Sequence, residues 1–188
     1  MAISRLAIDG YGQLELNQVA FRRDGRIEAQ LPLDATDFAT IPAENGMLLA
    51  VDKVKGSVRL PDAAETAPIA LNYTTEHMYD ERKKGLKNFK LEIGSFYPRM
   101  GYLSVGDRFT TNCVSYDNSD YATVEAFETA LANVKTTPLY GVPYTDGTIL
   151  VTDTVGDSTV ASTIKLAVVA KTTMPDGSLG IKFEVYAV

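Results

Sequence analysis

Residues 163–186 read TIKLAVVAKTTMPDGSLGIKFEVY, two apolar runs joined by a short turn sequence. The runs, Thr163 to Thr173 and Leu179 to Tyr186, are rich in the β-branched and aromatic residues that strands favour. Between them Pro175 fixes its own φ and Gly177 tolerates positive φ, which is what a tight turn requires. The pattern predicts a β-hairpin and, with it, a mainly β fold.

Upstream stretches of the same kind predict further strands. Met47 to Val54 turns at Lys55-Gly56 into Ser57 to Leu60. In the N-terminal part, Gln13 to Phe21 and Ile27 to Leu31 flank Asp24-Gly25, which predicts a hairpin with that dipeptide at its tip. Four other strand candidates are Pro68 to Tyr73, Phe89 to Ile93, Gly101 to Val105 and Arg108 to Tyr116.

One segment, at about 123–134, has the spacing of an amphipathic helix. Thr123 can cap its start, and Val124, Phe127, Leu131 and Val134 recur every three or four residues. Thr136-Thr137-Pro138 ends it. One helix beside many short strands indicates small β-barrel or sandwich modules with the helix laid across an edge or an open end.

An internal repeat is one hypothesis for the domain organisation. Gly46 to Val54 aligns with Gly147 to Val155, and weaker matches follow in the same order: Ile69 to Thr75 with Ala167 to Thr173, and Phe89 to Ile93 with Ile181 to Val185. The other hypothesis is that two hairpin-rich stretches align by chance. The predicted organisation is an N-terminal arm with a hairpin (1–45), a first β module (46–112), a helix-containing connection (113–146), and a C-terminal β module that packs with the first (147–188).

Composition narrows the class of protein. The chain has 188 residues, 45% of them hydrophobic and 22% charged, which is typical of a globular protein. A net charge of −6 makes nucleic acid an unlikely partner, because nucleic-acid binders usually carry a basic surface. The N-terminal residues carry charges where a signal peptide needs an apolar stretch, and the longest apolar runs are too short to cross a bilayer. We expect a protein that is made in a cytosol and does not enter a membrane.

Few residues suit catalysis. His77 is the only histidine and Cys113 the only cysteine, so a histidine-based triad depends on one residue and a multi-histidine metal site has no ligands. We expect His77 to be a surface residue and Cys113 a buried, inert thiol. Asp117-Asn118-Ser119-Asp120 and Asp153 to Asp157 lack the spacing of a calcium loop and are better explained as Asx turns. No catalytic residue, metal or cofactor is therefore predicted, although two of the 24 carboxylates could still form a hydrolase site.

Charge is unevenly distributed along the chain. Five cations and no acid lie between residues 82 and 90, and the candidate partner-binding residues are Arg82, Lys83, Lys84, Lys87, Phe89 and Lys90. Residues 113–164 hold seven acids and one cation, Lys135, and so carry the whole net charge of −6. Segregated charge favours contact between copies or docking on a large charged surface. A solvated basic loop and a solvated acidic face remain the alternative, and nucleic-acid contact by the basic loop is a weaker one.

Three stretches resemble structural proteins of tailed bacteriophages: Glu44 to Asp52, Gly85 to Lys90, and Gly101 to Asn112. In particular they are similar to the small β proteins that decorate, or cement, the phage head. The resemblance covers roughly residues 44–112, with a weaker similarity in residues 147–188. The N-terminal arm and the central helix depart from the simplest decoration proteins.

The resemblance implies a non-enzymatic virion protein, assembled in the host bacterial cytoplasm, that acts as a homo-oligomer. The implied partners are the major capsid protein or neighbouring virion proteins, and no active-site residue is carried over. One alternative is a fibre or tail module that binds carbohydrate or a receptor through the tyrosine pairs Tyr97/Tyr102, Tyr116/Tyr121 or Tyr140/Tyr144. The other is a β-fold hydrolase that uses two carboxylates.

Overall fold

The computed structural model describes residues 2–7, 9–74, 86–154 and 159–188, and it confirms a mainly β protein. Two sheets and one helix longer than two turns account for the regular structure of these ranges. The elements are β1 (Ile3–Arg5), β2 (Leu14–Gln18), α1 (Ala20–Arg23), β3 (Leu48–Asp52), β4 (Ser57–Arg59), β5 (Ile69–Asn72), a 3₁₀ turn (Leu86–Asn88), β6 (Met100–Gly101), β7 (Arg108–Thr111), β8 (Val114–Asp117), α2 (Val124–Ala132), β9 (Tyr140–Pro143), β10 (Ile149–Thr152), β11 (Lys165–Thr173) and β12 (Leu179–Ala187).

The larger sheet has eight strands in the order β1-β8-β10-β9-β11-β12-β7-β2. Its pairs are antiparallel except β8 with β10, whose connection carries α2 and β9. The C-terminal hairpin of β11 and β12 is confirmed, and Gly177 adopts a φ of 87° in its turn. Among the described strands neither sheet closes into a barrel.

The smaller sheet has four strands in the order β4-β3-β5-β6, and both of its edges are covered. On one edge the Val58 amide donates to the Pro32 carbonyl and the Asp34 amide to the Val58 carbonyl, each at 2.8 Å. On the other edge the Met100 amide donates to the Ala29 carbonyl at 3.1 Å. Irregular chain between residues 28 and 34 therefore satisfies backbone groups that an open edge would expose.

Successive residues of β3 and β5 face two different cores. Leu48 and Leu71 point into a core shared with Phe109 and Phe183 of the larger sheet. Leu49 points the other way, into a second core that contains Phe38, Leu91, Met100 and Cys113. Because both faces of the smaller sheet are buried, the run from Met47 to Val51 is apolar throughout instead of alternating.

The predicted helix is confirmed as α2. The Thr123 hydroxyl accepts a hydrogen bond from the Ala126 amide at 3.2 Å, as an N-cap should. Phe127 and Leu131 are fully buried in the first core, and Val124 and Val134 pack partly against it. Lys171 of β11 forms an ion pair with Glu128 at 2.5 Å, which ties the exposed side of the helix to the sheet.

The predicted N-terminal hairpin is wrong. β2 pairs with β7, and the chain then enters α1. Asp24-Gly25 ends this helix: the Gly25 amide donates to the Arg22 carbonyl and the Arg26 amide to the Phe21 carbonyl, the pattern of a Schellman motif. Between residues 27 and 31 one isolated bridge, at Ala29, is the only β pairing described. A positive-φ glycine serves a helix end as well as a hairpin tip, and the sequence pattern did not distinguish the two.

Three other strand predictions also need correction. Phe89 to Ile93 contains a single bridge, Leu91 to Ala43, and Gly101 to Val105 is strand only at Gly101. Arg108 to Tyr116 divides at Asn112-Cys113 into β7 and β8, which lie in different parts of the larger sheet. The larger sheet contains strands from all four predicted parts of the chain, 1–45, 46–112, 113–146 and 147–188. The two halves of the aligned repeat also pair differently: β3 pairs with β4 and β5, whereas β10 pairs with β8 and β9.

Candidate functional site

The predicted partner-binding residues fall into two groups. Arg82, Lys83 and Lys84 lie outside the described residues, as does His77. Lys87 is exposed on the 3₁₀ turn, whereas Phe89 is half-buried against the second core. Lys90 donates to Glu92 at 2.6 Å and lies 5.2 Å from the centre of the Tyr11 ring, and hydrogen bonds with these two residues raise the pKa of its ammonium group. The role of the set stays a prediction, with Lys87 its most accessible described member.

A group of exposed apolar side chains follows directly after this basic stretch. Residues 92–98, here the aromatic loop, present Ile93, Phe96 and Tyr97 with exposed fractions of 45%, 81% and 55%. Three large apolar side chains are exposed within five positions of one turn, whereas single exposed apolar residues are common on any protein. Such a patch is typical of a surface that another protein covers.

Backbone bonds at both ends hold the aromatic loop in place. On the N-terminal side Leu91, 1% exposed, exchanges two 2.9 Å backbone hydrogen bonds with Ala43. On the C-terminal side the Arg99 amide donates to the Thr74 hydroxyl at 2.9 Å, and the Arg99 carbonyl accepts from Tyr73 at 3.0 Å. The loop thus starts and ends on the core, and its tip projects from fixed anchors.

The turn within the loop is also defined. The Ser95 amide donates to the Glu92 carbonyl, and the Glu92 amide donates to the Ser95 hydroxyl, both at 3.0 Å. Gly94 adopts a φ of 77°, which only glycine reaches without strain. The three apolar side chains are therefore presented by an ordered turn, and a partner would not have to order the loop on binding.

The 3₁₀ turn that carries Lys87 is seated against the N-terminal segment. The Tyr11 amide donates to the Lys87 carbonyl at 2.7 Å. A Cβ on Gly10 would lie 2.4 Å from that carbonyl oxygen, so only glycine allows this approach. Lys87 and the aromatic loop are thereby placed on neighbouring, anchored parts of the surface.

A buried ion pair lies beneath this region, next to the Ala43 anchor. The Glu44 carboxylate accepts from the Arg5 guanidinium at 2.8 and 2.6 Å and from the Gly12 amide at 2.6 Å. The Glu44 carbonyl accepts from the Asn72 side chain at 2.8 Å. The hydrogen bond to Glu44 raises the pKa of Arg5, so the guanidinium stays charged. All of the Glu44 contacts described here are structural, and they join β1, the 10–13 segment and β5.

Cys113 lies close to this pair and is fully buried, as expected. Burial raises the pKa of its thiol, and the Glu44 charge adds to the effect. A thiol in this state carries no nucleophilic thiolate near neutral pH.

Three aspartates line one groove, and each of them accepts a hydrogen bond from a backbone amide. A groove of about 550 Å³ is lined by Asp34, Asp37 and Asp62 together with Lys55 and Arg59. Asp34 accepts from the Thr36 amide, Asp37 from the Leu60 amide, and Asp62 from the Ala64 amide. Within the described ranges no group of three or more His, Cys, Asp or Glu side chains is placed to hold a metal ion.

Of the predicted tyrosine pairs, Tyr116/Tyr121 is in contact, but its Tyr116 ring belongs to the core, and Tyr140 and Tyr102 have other partners. Tyr116 contacts Tyr121 at 6.4 Å, but it is buried and stacks on Phe127 at 4.6 Å, as part of the core. Tyr140 pairs with Tyr186 at 6.0 Å, and Tyr102 lies under the Lys53 ammonium at 5.5 Å. Asp117 forms the expected Asx turn with the Ser119 amide at 2.8 Å, whereas Asp157 lies outside the described residues.

Sequence reasoning missed the aromatic loop, because the pattern of Phe89 to Ile93 predicts a strand there. Its signal is the order Gly94, Phe96, Tyr97, Pro98, in which a turn residue and a proline enclose two aromatic residues. None of the helices in the described part of the chain is long and apolar enough to cross a membrane. No family model, no curated protein and no solved structure matches this chain.

Proposed function

We propose that this chain is a structural virion protein of a tailed bacteriophage, a decoration or cement protein that binds the phage head and works by protein contact without catalysis. The observation that carries the proposal is the aromatic loop, whose ordered turn exposes Ile93, Phe96 and Tyr97. A patch of this kind beside the exposed Lys87 supports a role in an assembly, where a neighbouring protein covers it. The type of assembly, a phage head, is inferred from the sequence resemblance.

The proposed mechanism is to bridge neighbouring capsid subunits and raise the free energy needed to separate them. Each contact is weak, but a head lattice offers many equivalent sites, so binding through several contacts gains from avidity. The expected partners are the major capsid protein and adjacent virion proteins. A smaller sheet whose edges and second core are closed by the chain itself suits this role, because the protein must fold before it meets the lattice.

The test is to mix the purified protein with expanded capsids that lack it and to measure bound copies by sedimentation. We expect binding in a fixed ratio to capsid subunits, reduced about tenfold or more in affinity by the double change Phe96→Ser and Tyr97→Ser. Val54→Ser is the matched control, because Val54 is 99% exposed on the β3–β4 turn and should not affect binding. Absence of binding by the unmodified protein at both low and moderate salt would refute the decoration role.

A further inference from the structure

The segment between β1 and β2 is held to the rest of the fold by its backbone. The Tyr11 amide donates to the Lys87 carbonyl at 2.7 Å, and the Gly12 amide donates to the Glu44 carboxylate at 2.6 Å. The next amide, of Gln13, donates to a buried side-chain oxygen at 2.6 Å. Three consecutive backbone bonds fix this segment, so the Tyr11 side chain projects from a fixed point.

The Tyr11 side chain meets Lys90. The Lys90 ammonium lies 5.2 Å from the centre of the Tyr11 ring and forms a hydrogen bond with its hydroxyl group. The same ammonium donates to the Glu92 carboxylate at 2.6 Å. Lys90 therefore bridges Tyr11 and the first residue of the aromatic loop, and its charge is used within the chain, by an aromatic face and two charge-assisted hydrogen bonds.

The backbone around Leu91 places these side chains together. Leu91 is buried and exchanges two hydrogen bonds with Ala43. In an extended chain the residues before and after such a position point to the opposite side, so Lys90 and Glu92 both point away from the second core. The Glu92 backbone also closes the turn with Ser95. Holding the Glu92 carboxylate therefore limits how far the turn can swing about its Leu91 anchor.

We propose that Tyr11 and Lys90 are positioning residues of the aromatic loop, and that the exposed Lys87 supplies a cation that contacts the partner. The inference rests on the proposed function, because it assigns roles at the same site. Through Lys90, Tyr11 holds Glu92 and with it the direction in which the apolar side chains of the loop project. A loop that is already held loses less conformational entropy when a partner covers it.

The first experiment measures loop order in the free protein, by ¹⁵N relaxation at the Ser95 and Phe96 amides. Lys90→Met should lower their order parameters from about 0.85 towards about 0.6, because it removes the bridge. Tyr11→Phe should cause a smaller loss, since the ring remains. Lys87→Met, which removes the same charge from an exposed position, is the matched control and should leave the loop unchanged.

The amides of β11 and β12 serve as an internal reference, because general destabilisation would affect them as well. Loss of order confined to the aromatic loop supports the positioning role. Unchanged loop order in both Lys90→Met and Tyr11→Phe would overturn it, and so would an equal loss in Lys87→Met.

The second experiment measures affinity for capsids at low and at moderate salt. Tyr11→Phe changes no charge, so it should weaken binding several-fold by the same factor at both salt concentrations. Lys87→Met should weaken binding mainly at low salt, where a lost charge contact has its largest effect. Tyr140→Phe, which removes a hydroxyl from a half-buried tyrosine of β9, is the control and should bind normally. Normal binding by Lys87→Met at low salt would overturn the role of Lys87.

Loop order separates this inference from the proposed function, because it is measured without capsids. Loss of loop order in the variants, without any capsid binding by the unmodified protein, would refute the decoration role and keep the positioning role of Tyr11 and Lys90. Capsid binding in a fixed ratio, with unchanged loop order in these variants, would keep the decoration role and refute the positioning role.

Discussion

At the scale of single residues, the Glu44 carboxylate is a buried anion whose partners come from distant parts of the chain. Three N–H groups converge on it, and its side chain is 3% exposed. An anion taken out of water needs such partners, because its desolvation otherwise costs several kcal/mol. Since Ala43 next to it anchors the aromatic loop, the ion pair supports the candidate site from within the fold.

Glu44→Gln should therefore destabilise the fold. The amide keeps the shape of the side chain but leaves Arg5 with an uncompensated, partly buried charge, and we expect a loss of about 2 kcal/mol in the free energy of unfolding. Urea denaturation followed by circular dichroism measures it. The matched control is Glu184→Gln, which removes the more exposed ion pair with Arg108 and should cost less than about 1 kcal/mol. Equal losses in the two variants would contradict a supporting role for Glu44.

Residue-level prediction from the sequence succeeded where local chemistry was sufficient. The buried state of Cys113 followed from its strand-like neighbours. Partners distant in sequence were not visible: Arg5 and Glu44 are 39 positions apart, and their pairing depends on how β1 meets the second core. The exposure of Phe96 could not be predicted either. Aromatic residues in a β protein are usually buried, and this loop turns outward only because its ends are anchored at Ala43 and Thr74, which are distant in sequence.

At the scale of elements, α2 depends on its cap. Thr123 holds the Ala126 amide, one of the N–H groups that the first turn leaves without an intrahelical partner. We expect Thr123→Ala to lower the free energy of unfolding by about 1 kcal/mol. Thr129→Ala, at an exposed position in the middle of the same helix, is the control and should change stability by only about a few tenths of a kcal/mol. A control loss as large as that of Thr123→Ala would show that the capping bond contributes little.

Elements that a few consecutive residues specify were predictable. The β3–β4 turn at Gly56, the β11–β12 turn at Gly177 and the Thr123 cap are all confirmed. The hairpin at Gly25 failed, because the fate of such a turn depends on what the preceding strand pairs with. β2 finds its partner in β7, some 90 residues away, and this leaves the chain free to form α1. Long-range pairing of this kind has no local signature.

At the scale of the whole molecule, the smaller sheet lies between two cores. One core is shared with the larger sheet, and the other is closed by irregular chain between residues 29 and 43 and by Leu91. The continuous apolar run of β3 indicates burial on both faces, but it cannot say which segment provides the second cover. That cover has no periodic pattern, so the sequence predicted only an arm there.

Because adjacent residues of β3 face opposite cores, Leu48 and Leu49 test whether the molecule unfolds as one unit. Both are 0% exposed, and replacing either with alanine should cost about 3 kcal/mol through lost burial and the cavity left behind. If the strand couples the cores, each variant unfolds in a single transition at a lower urea midpoint. The transitions followed by circular dichroism and by tyrosine fluorescence should then coincide. Leu48→Ala should then loosen the second core as much as the first, since β3 cannot leave one core and stay in the other. A variant that unfolds in two separated steps would mean that the cores are independent, and that the anchors of the aromatic loop can open while the larger sheet stays folded.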